Sequence, residues 1–277
     1  PGASLLSSQE FSEYCKEITK KKECEYFENF KDKNLRHNCI NQLKEPHAIG
    51  NVDWNNEDVV KIFDEFMALY PDRPFQSNTG GMKIPHLLPM YFFLKRTQPK
   101  VIIESGVFMG QGTWLFKKAS PNSKIISIEI YPEKIKWRNP DGIYMDKDFS
   151  EYRWNDINQE DTLLFFDDHI DAVERLKWIK ENTNFKKIIF EDNYAIPEGS
   201  PSLKYAFDSK REIAFLTQNI KTYYEFPPIY VSEFTRWNTP WINYSTAKPL
   251  FNELPVENTI LYNEMKDYTW ICYVELK

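Results

Sequence analysis

The chain has 277 residues, enough for one large domain or a domain with an extension, and for a core that needs no disulfides or structural metals. Its 35 basic and 41 acidic residues leave a formal charge of −6, which argues against a general nucleic-acid or anionic-membrane binder. A composition of 42% hydrophobic and 27% charged residues excludes disordered, collagen-like and coiled-coil chains, and no run approaches the roughly 20 apolar residues of a membrane span.

The first residues, Pro1-Gly2-Ala3-Ser4, lack an initiator Met and read as a processed end or a cloning scar. Residues 5–50 are rich in Lys and Glu. Ser7 or Ser8 precedes Phe11, Tyr14, Cys15 and Ile18 at helical spacing, and Lys20 to Lys22 reads as a solvated face. Cys15, Cys24 and Cys39 fall here and Cys272 near the other end, with no C-x-x-C pair. Free structural thiols are the first reading, ahead of disulfides or a zinc or iron–sulfur site. A second helix is predicted from Asp53 to Tyr70, where Val59, Val60, Ile62, Phe63, Phe66 and Leu69 form an apolar stripe that Pro71 ends. Asn78-Thr79-Gly80-Gly81 is a turn signal. A third helix is predicted from Ile84 to Thr97, with Pro85 tolerated in its first turn.

From residue 98 the pattern changes to short apolar runs alternating with helices. Runs at Lys100–Glu104, Lys124–Ile130, Thr162–Phe166 and Lys187–Phe190 read as buried strands, with a last one at Tyr268–Val274. Helices are expected from Thr113 and through Ala172 to Lys180. The repetition predicts an α/β, doubly wound, mostly parallel sheet over residues 98–277, with residues 1–97 a helical extension packed against it.

In such a sheet, ligands bind beyond the carboxyl ends of the strands. The four central runs end in Glu104, Glu129, Asp167-Asp168-His169 and Glu191-Asp192-Asn193. Four acidic ends on one sheet edge point to a site rather than to chance solvent contact. Gly106 and Gly110 allow a tight turn that opens a helix, but neither a dinucleotide fingerprint nor a P-loop is present. An acid before the turn and another ending the next strand suit a ligand with a ribose and a cationic part; Glu129 could accept two ribose hydroxyls.

The segments V-I-I-E-S-G-V-F-M-G-Q-G-T and I-I-S-I-E-I-Y-P-E resemble motif I and the second strand of class I S-adenosylmethionine-dependent methyltransferases. F-F-D-D-H-I-D and I-F-E-D-N-Y-A-I-P-E-G-S-P are similar to the D-H and D-N segments of their catechol-O-methyltransferase-like, metal-dependent group, over residues 98–202. The resemblance implies a Rossmann-like methyltransferase sheet and transfer of a methyl group to a hydroxyl of a small-molecule or carbohydrate acceptor. It implies that Glu104, Gly106 and Gly110 line the methionine side of S-adenosylmethionine, Glu129 the ribose and His169 the adenine or the rim, with Asp168 also at the cofactor. It implies Asp168, Asp192 and Asn193 as ligands of Mg²⁺ or another divalent cation, a hard-oxygen set that suits that ion, with Asp167 as a competitor to Asp168.

The sequence departs from the group at its general base. The position of the family lysine holds Asp171, so Asp171, His169 and Lys177 are the candidates, with His86 reaching in from the third helix. Gly112 stands where a small hydroxyl residue is usual. Tyr223 through Phe226, with Trp237 and Trp241, read as core or as an aromatic wall for a sugar or phenol, and Gly199 to Lys204 as a gate. The missing lysine keeps two other readings open: a metal-dependent hydroxylase or hydrolase on the same fold, and a non-catalytic binding protein. One N-x-[ST] match at Asn243 does not assert secretion, and the cytoplasm, where the cofactor is made, is the expected compartment.

Overall fold

The computed structural model describes residues 56–194, 201–226, 229, 235–236, 239–240, 264 and 270–277. Cys15, Cys24, Cys39, the helix expected near Ser8, Asn243, Trp237 and Trp241 lie outside them.

Two helices come first, α1 (Asn56–Leu69) and α2 (Ile84–Thr97). Then follow β1 (Val101–Ser105), α3 (Gln111–Ala119), β2 (Lys124–Ile128), β3 (Ile143–Met145), β4 (Thr162–Phe166), α4 (Ala172–Asn182) and β5 (Lys187–Phe190). The chain continues through α5 (Leu203–Asp208), α6 (Ile213–Asn219), β6 (Ile220–Glu225), a short ribbon of β7 (Thr235–Arg236) and β8 (Thr239–Pro240), and β9 (Cys272–Leu276).

The main sheet has seven strands in the order β3-β2-β1-β4-β5-β9-β6. The first five run parallel, and β9 is antiparallel to both β5 and β6. This is the doubly wound, mostly parallel, Rossmann-like sheet that the sequence predicts. The chain winds outward from β1 to β3, then returns to β4 on the other side of β1. That reversal places a topological switch point between the carboxyl ends of β1 and β4, where a ligand crevice is expected.

Strand alternation divides the core. Ile102, Ile125, Leu163, Phe165 and Ile189 pack with α1, α2 and α3 on one face. Ile103, Ile126, Leu164, Phe166, Ile188 and Phe190 pack with α4, α5 and α6 on the other. α2 is apolar around most of its circumference and buried from Ile84 to Leu94 except at His86. A helix of that pattern has to be covered on all sides, and here it shares one core with β1 and α3.

Some elements escape the sequence reading. β3, Ile143-Tyr144-Met145, is only three residues long, too short a run to read as a strand. Of the two readings of Tyr223 to Phe226, core and aromatic wall, the first holds for Tyr223 and Phe226, which are core residues. The last strand runs over Cys272–Leu276, further along than expected, because its pairing with β5 sets Cys272 opposite Phe190. The described end of the expected gate is anchored: the Ser202 hydroxyl accepts from Tyr205 N at 3.0 Å, and Leu203 and Lys204 are buried.

Candidate functional site

The turn after β1 is built by two glycines and one carboxylate. Gly106 has φ +92°, and a Cβ there would lie 2.0 Å from the Asp167 carbonyl oxygen. Gly110 has φ +104°, and its Cβ would lie 2.2 Å from the Trp137 carbonyl oxygen. Both positions therefore demand glycine because neighbouring backbone is close, whatever ligand the turn faces. Glu129, just past β2, clamps the turn: one carboxylate oxygen accepts from Val107 N at 3.2 Å and Phe108 N at 2.8 Å, the other from Tyr131 N at 3.0 Å. A carboxylate has about four acceptor positions, so Glu129 keeps about one for a ligand rather than the two expected.

Beside this turn lies a cavity of about 350 Å³, bordered by Gly106, Phe108, Glu129, Tyr131, His169 and Ile170. Asp168 also borders it, but its carboxylate is occupied. One oxygen accepts from Ser105 Oγ at 2.7 Å and Arg175 at 2.8 Å, the other from Ile170 N at 3.2 Å. Arg175, buried on α4, also grips Asp148 with two nitrogens. Its bonds to Asp148 hold that carboxyl well below the usual carboxylate range.

A second cavity of about 240 Å³ lies over the end of β5, between Pro85 and His86 of α2, Tyr194 and Trp270. The two cavities share Gly80, Asp167 and His169. Asp167, His169 and Asp192 each offer a ligand atom within 4.8 Å of the others. His169 Nδ1 bonds Asp192 at 2.7 Å, and Tyr194 donates to the other Asp192 oxygen. The Asp192 carboxylate pushes His169 up to about 9. Burial would raise Asp192 itself, but bonds from His169, Glu191 and Tyr194 outweigh it and hold that carboxyl below its usual range. Asp167 is raised well above its usual value, by burial first and then by the charges of Glu191 and Asp192. Glu191 is anchored by His86 Nδ1, and the other ring nitrogen of His86 accepts from Trp270 N at 3.3 Å, which fixes the tautomer.

Two of the three residues that the sequence offers as metal ligands are engaged by other partners. Strand parity turns Asp168 toward α4 and Arg175, and Asp167 toward the cavities. Asn193 is buried with both ends of its amide used: Nδ2 donates to Tyr223 OH at 2.8 Å and Oδ1 accepts from Lys204 N at 3.0 Å. Asp192 stands instead beside Asp167 and His169. The base candidates Asp171 and Lys177 border neither cavity. Asp171 is the N-cap of α4, accepting from Val173 N at 2.9 Å, and pairs with Arg211. Lys177 pairs with Glu174 and Glu212 at 3.1 Å on the surface.

Glu104 is buried beneath the turn rather than exposed to the larger cavity. One oxygen accepts from Thr113 Oγ1 at 2.5 Å and Ser127 Oγ at 2.9 Å. Burial outweighs these bonds and raises its carboxyl from 4.5 to about 7. The folded chain then holds a proton that the unfolded chain releases at lower pH. Its contribution is fully present below about pH 4.5 and is lost as pH rises through about 7; by linkage it amounts to about 3 kcal/mol. Glu104→Gln should flatten this part of the pH dependence in urea unfolding between pH 5 and 8. An unchanged slope would place the titration elsewhere.

No family profile and no curated protein matches the sequence. Among solved structures, one described as cmcI-N160 SAH is 17% identical over 48% of this chain and 76% of its own, with a TM-score of 0.38. The O-methyltransferase TomG from Streptomyces achromogenes, involved in tomaymycin synthesis and solved with SAM, is 12% identical over 80% and 90%, with a TM-score of 0.40. An O-methyltransferase from Bacillus cereus in complex with SAH is 11% identical over 80% and 91%, with a TM-score of 0.42. These are partial likenesses of fold, and the Rossmann-like assignment stands on the strand order and connections of the sheet itself.

Proposed function

We propose that the chain is an S-adenosylmethionine-dependent, divalent-metal-assisted O-methyltransferase. The observation that carries this reading is the meeting of two cavities at Asp167 and His169, at the switch point of a doubly wound sheet. The larger would take the cofactor, with Gly106 and Phe108 along its turn and Glu129 offering its remaining acceptor position to a ribose hydroxyl. The smaller would take the acceptor, a small molecule or carbohydrate, against Tyr194 and Trp270, whose rings meet edge to face at 5.5 Å. The expected compartment for this reaction is the cytoplasm.

The donor set fits a divalent cation. Asp167 and Asp192 are hard oxygen donors, and the repulsion from Glu191 and Asp192, which adds to burial in raising Asp167, is what a cation would relieve. Asp167 and Asp192 would hold it, leaving the His169 ring to proton transfer, and it would supply the positive charge that favours ionisation of an acceptor hydroxyl. Arg175 and Ser105 fix Asp168 so that the wall of the larger cavity stays in place. Among the nominated bases, His169 alone borders both cavities; its ring is placed to take the acceptor proton once Asp192 no longer holds it charged.

Calorimetric titration with S-adenosylmethionine, with and without Mg²⁺, tests the reading. Micromolar binding that tightens with Mg²⁺ is expected. Absence of binding in both conditions would remove the methyltransferase reading and favour a metal-dependent hydroxylase or hydrolase.

A further inference from the structure

Most of the charged groups around the smaller cavity are committed to one another. Glu191 is held by His86, and Asp192 by His169 and Tyr194. Asp167 faces the proposed cation. Lys83 also borders this cavity, the one Lys or Arg to do so among the described residues. Its ammonium makes no hydrogen bond or ion pair among those residues.

The backbone that carries Lys83 is fixed on both sides. The Met82 carbonyl accepts from Asn78 Nδ2 at 2.9 Å and from Gln111 Nε2 at 3.0 Å. The Lys83 carbonyl accepts from His86 N at 3.0 Å and Leu87 N at 2.8 Å, where α2 begins. Lys83 itself is extended, with φ −119° and ψ −173°, so its side chain leaves the backbone opposite to those of its neighbours. Met82 and Ile84 are buried in the core, and Lys83 is half-buried beside the cavity. An ammonium on an anchored root offers three donors and a positive charge. With the nearby acids engaged elsewhere, it is placed for an anion that arrives with the ligand.

We propose that Lys83 binds a carboxylate of the acceptor, so that the substrate class is a hydroxylated acid, an acid sugar or a phenolic acid, rather than a neutral sugar or phenol. The inference rests on the methyltransferase reading, which makes this cavity the acceptor's. The acceptor hydroxyl would lie toward Asp167 and Asp192, its carboxylate toward Lys83, and its ring against Tyr194 and Trp270. A single negative charge suits the space. A phosphate dianion would meet Asp167, Glu191 and Asp192 with one lysine to answer it.

The test is calorimetry in Mg²⁺ buffer with matched acids and amides: glucuronate against glucuronamide, and dihydroxybenzoate against dihydroxybenzamide. The proteins are the wild type, Lys83→Gln and Lys83→Arg. In at least one pair the wild type should prefer the acid by roughly fivefold, the scale of a partly exposed ion pair. The preference should shrink as salt rises. Lys83→Gln should abolish it and Lys83→Arg should keep it. Both variants should retain the wild-type affinity for S-adenosylmethionine, since Lys83 does not border the larger cavity, and this also reports a folded site. No acid preference in either pair, failure of every probe to bind, or a preference unmoved by Lys83→Gln overturns the proposal and leaves Lys83 a solvated side chain. The two readings fail separately. A wild type that binds S-adenosylmethionine but shows no acid preference keeps the methyltransferase reading and loses this one. A Lys83-dependent acid preference without S-adenosylmethionine binding supports the acid site on a chain that is not a methyltransferase.

Discussion

Replacing Arg175 by methionine should lower stability by about 3–5 kcal/mol, the scale for removing one partner of a buried ion pair. Methionine keeps an unbranched apolar stem beside Phe166 and Phe149, whose ring centres lie 5.4 and 5.9 Å from the guanidinium carbon. The loss is therefore one of charge and hydrogen bonding. Asp148 and Asp168 would be left facing each other without the cation that both contact. For a chain of this size the melting temperature should fall by roughly 6–20 °C. The pH dependence carries a sign. Arg175 depresses the Asp148 carboxyl, so this stabilisation is present above the unfolded carboxylate value of 3.8 and is lost as pH falls through the folded one. The gap between wild type and variant should persist through neutral pH and close only in strong acid. Adding Asp148→Asn to the variant should recover part of the loss. A drop below about 1 kcal/mol would mean that both carboxylates reach water and that the triad is a surface feature.

The sheet was legible because parallel strands buried on both faces leave unbroken apolar runs, and K-V-I-I, T-L-L-F-F and K-I-I-F are such runs. The site was legible as a place for the same reason: the runs end abruptly, and acids stand at the ends. What such runs cannot show is parity. With both faces apolar, nothing in T-L-L-F-F says whether Asp167 or Asp168 turns toward the cavities. The answer depends on which face α2 covers and on Arg175 of α4 claiming Asp168. The partners of Asn193 were hidden for a related reason. An amide beside an acid reads as a metal ligand in sequence, while its partners Tyr223 and Lys204 are distant in the chain. Asp171 illustrates local chemistry overlooked: an acid directly before a helix is an N-cap before it is a base. β3 and the role of Asp148 carried no signal, since a three-residue edge strand has no period to read.

Asp167→Asn should change stability in opposite directions with and without metal. In the metal-free protein the Asp167 carboxyl is buried beside Glu191 and Asp192, and its raised value records the cost of ionising it there. A folded carboxyl raised above its unfolded value stabilises below that unfolded value and loses the contribution as pH rises through the folded one. The wild type should therefore be more stable in mild acid than at neutral pH when metal is chelated. Asparagine removes the charge while keeping the shape, so the chelated variant should match or exceed the wild type at pH 7. Saturating Mg²⁺ should reverse the order. At a hundred times its dissociation constant a ligand adds about 2.7 kcal/mol to the folded state, and the variant, short of one anionic donor, should lose most of that gain. The paired melting curves separate this account from one in which Asp167 is merely a packed acid: that account predicts the gain in chelator and no change in the response to Mg²⁺. A variant that keeps the full Mg²⁺ response would move the cation away from Asp167. The comparison then falls to Asp168, and since Ser105, Arg175 and Ile170 already hold that carboxylate, ligation there would require the Arg175 pairing to open.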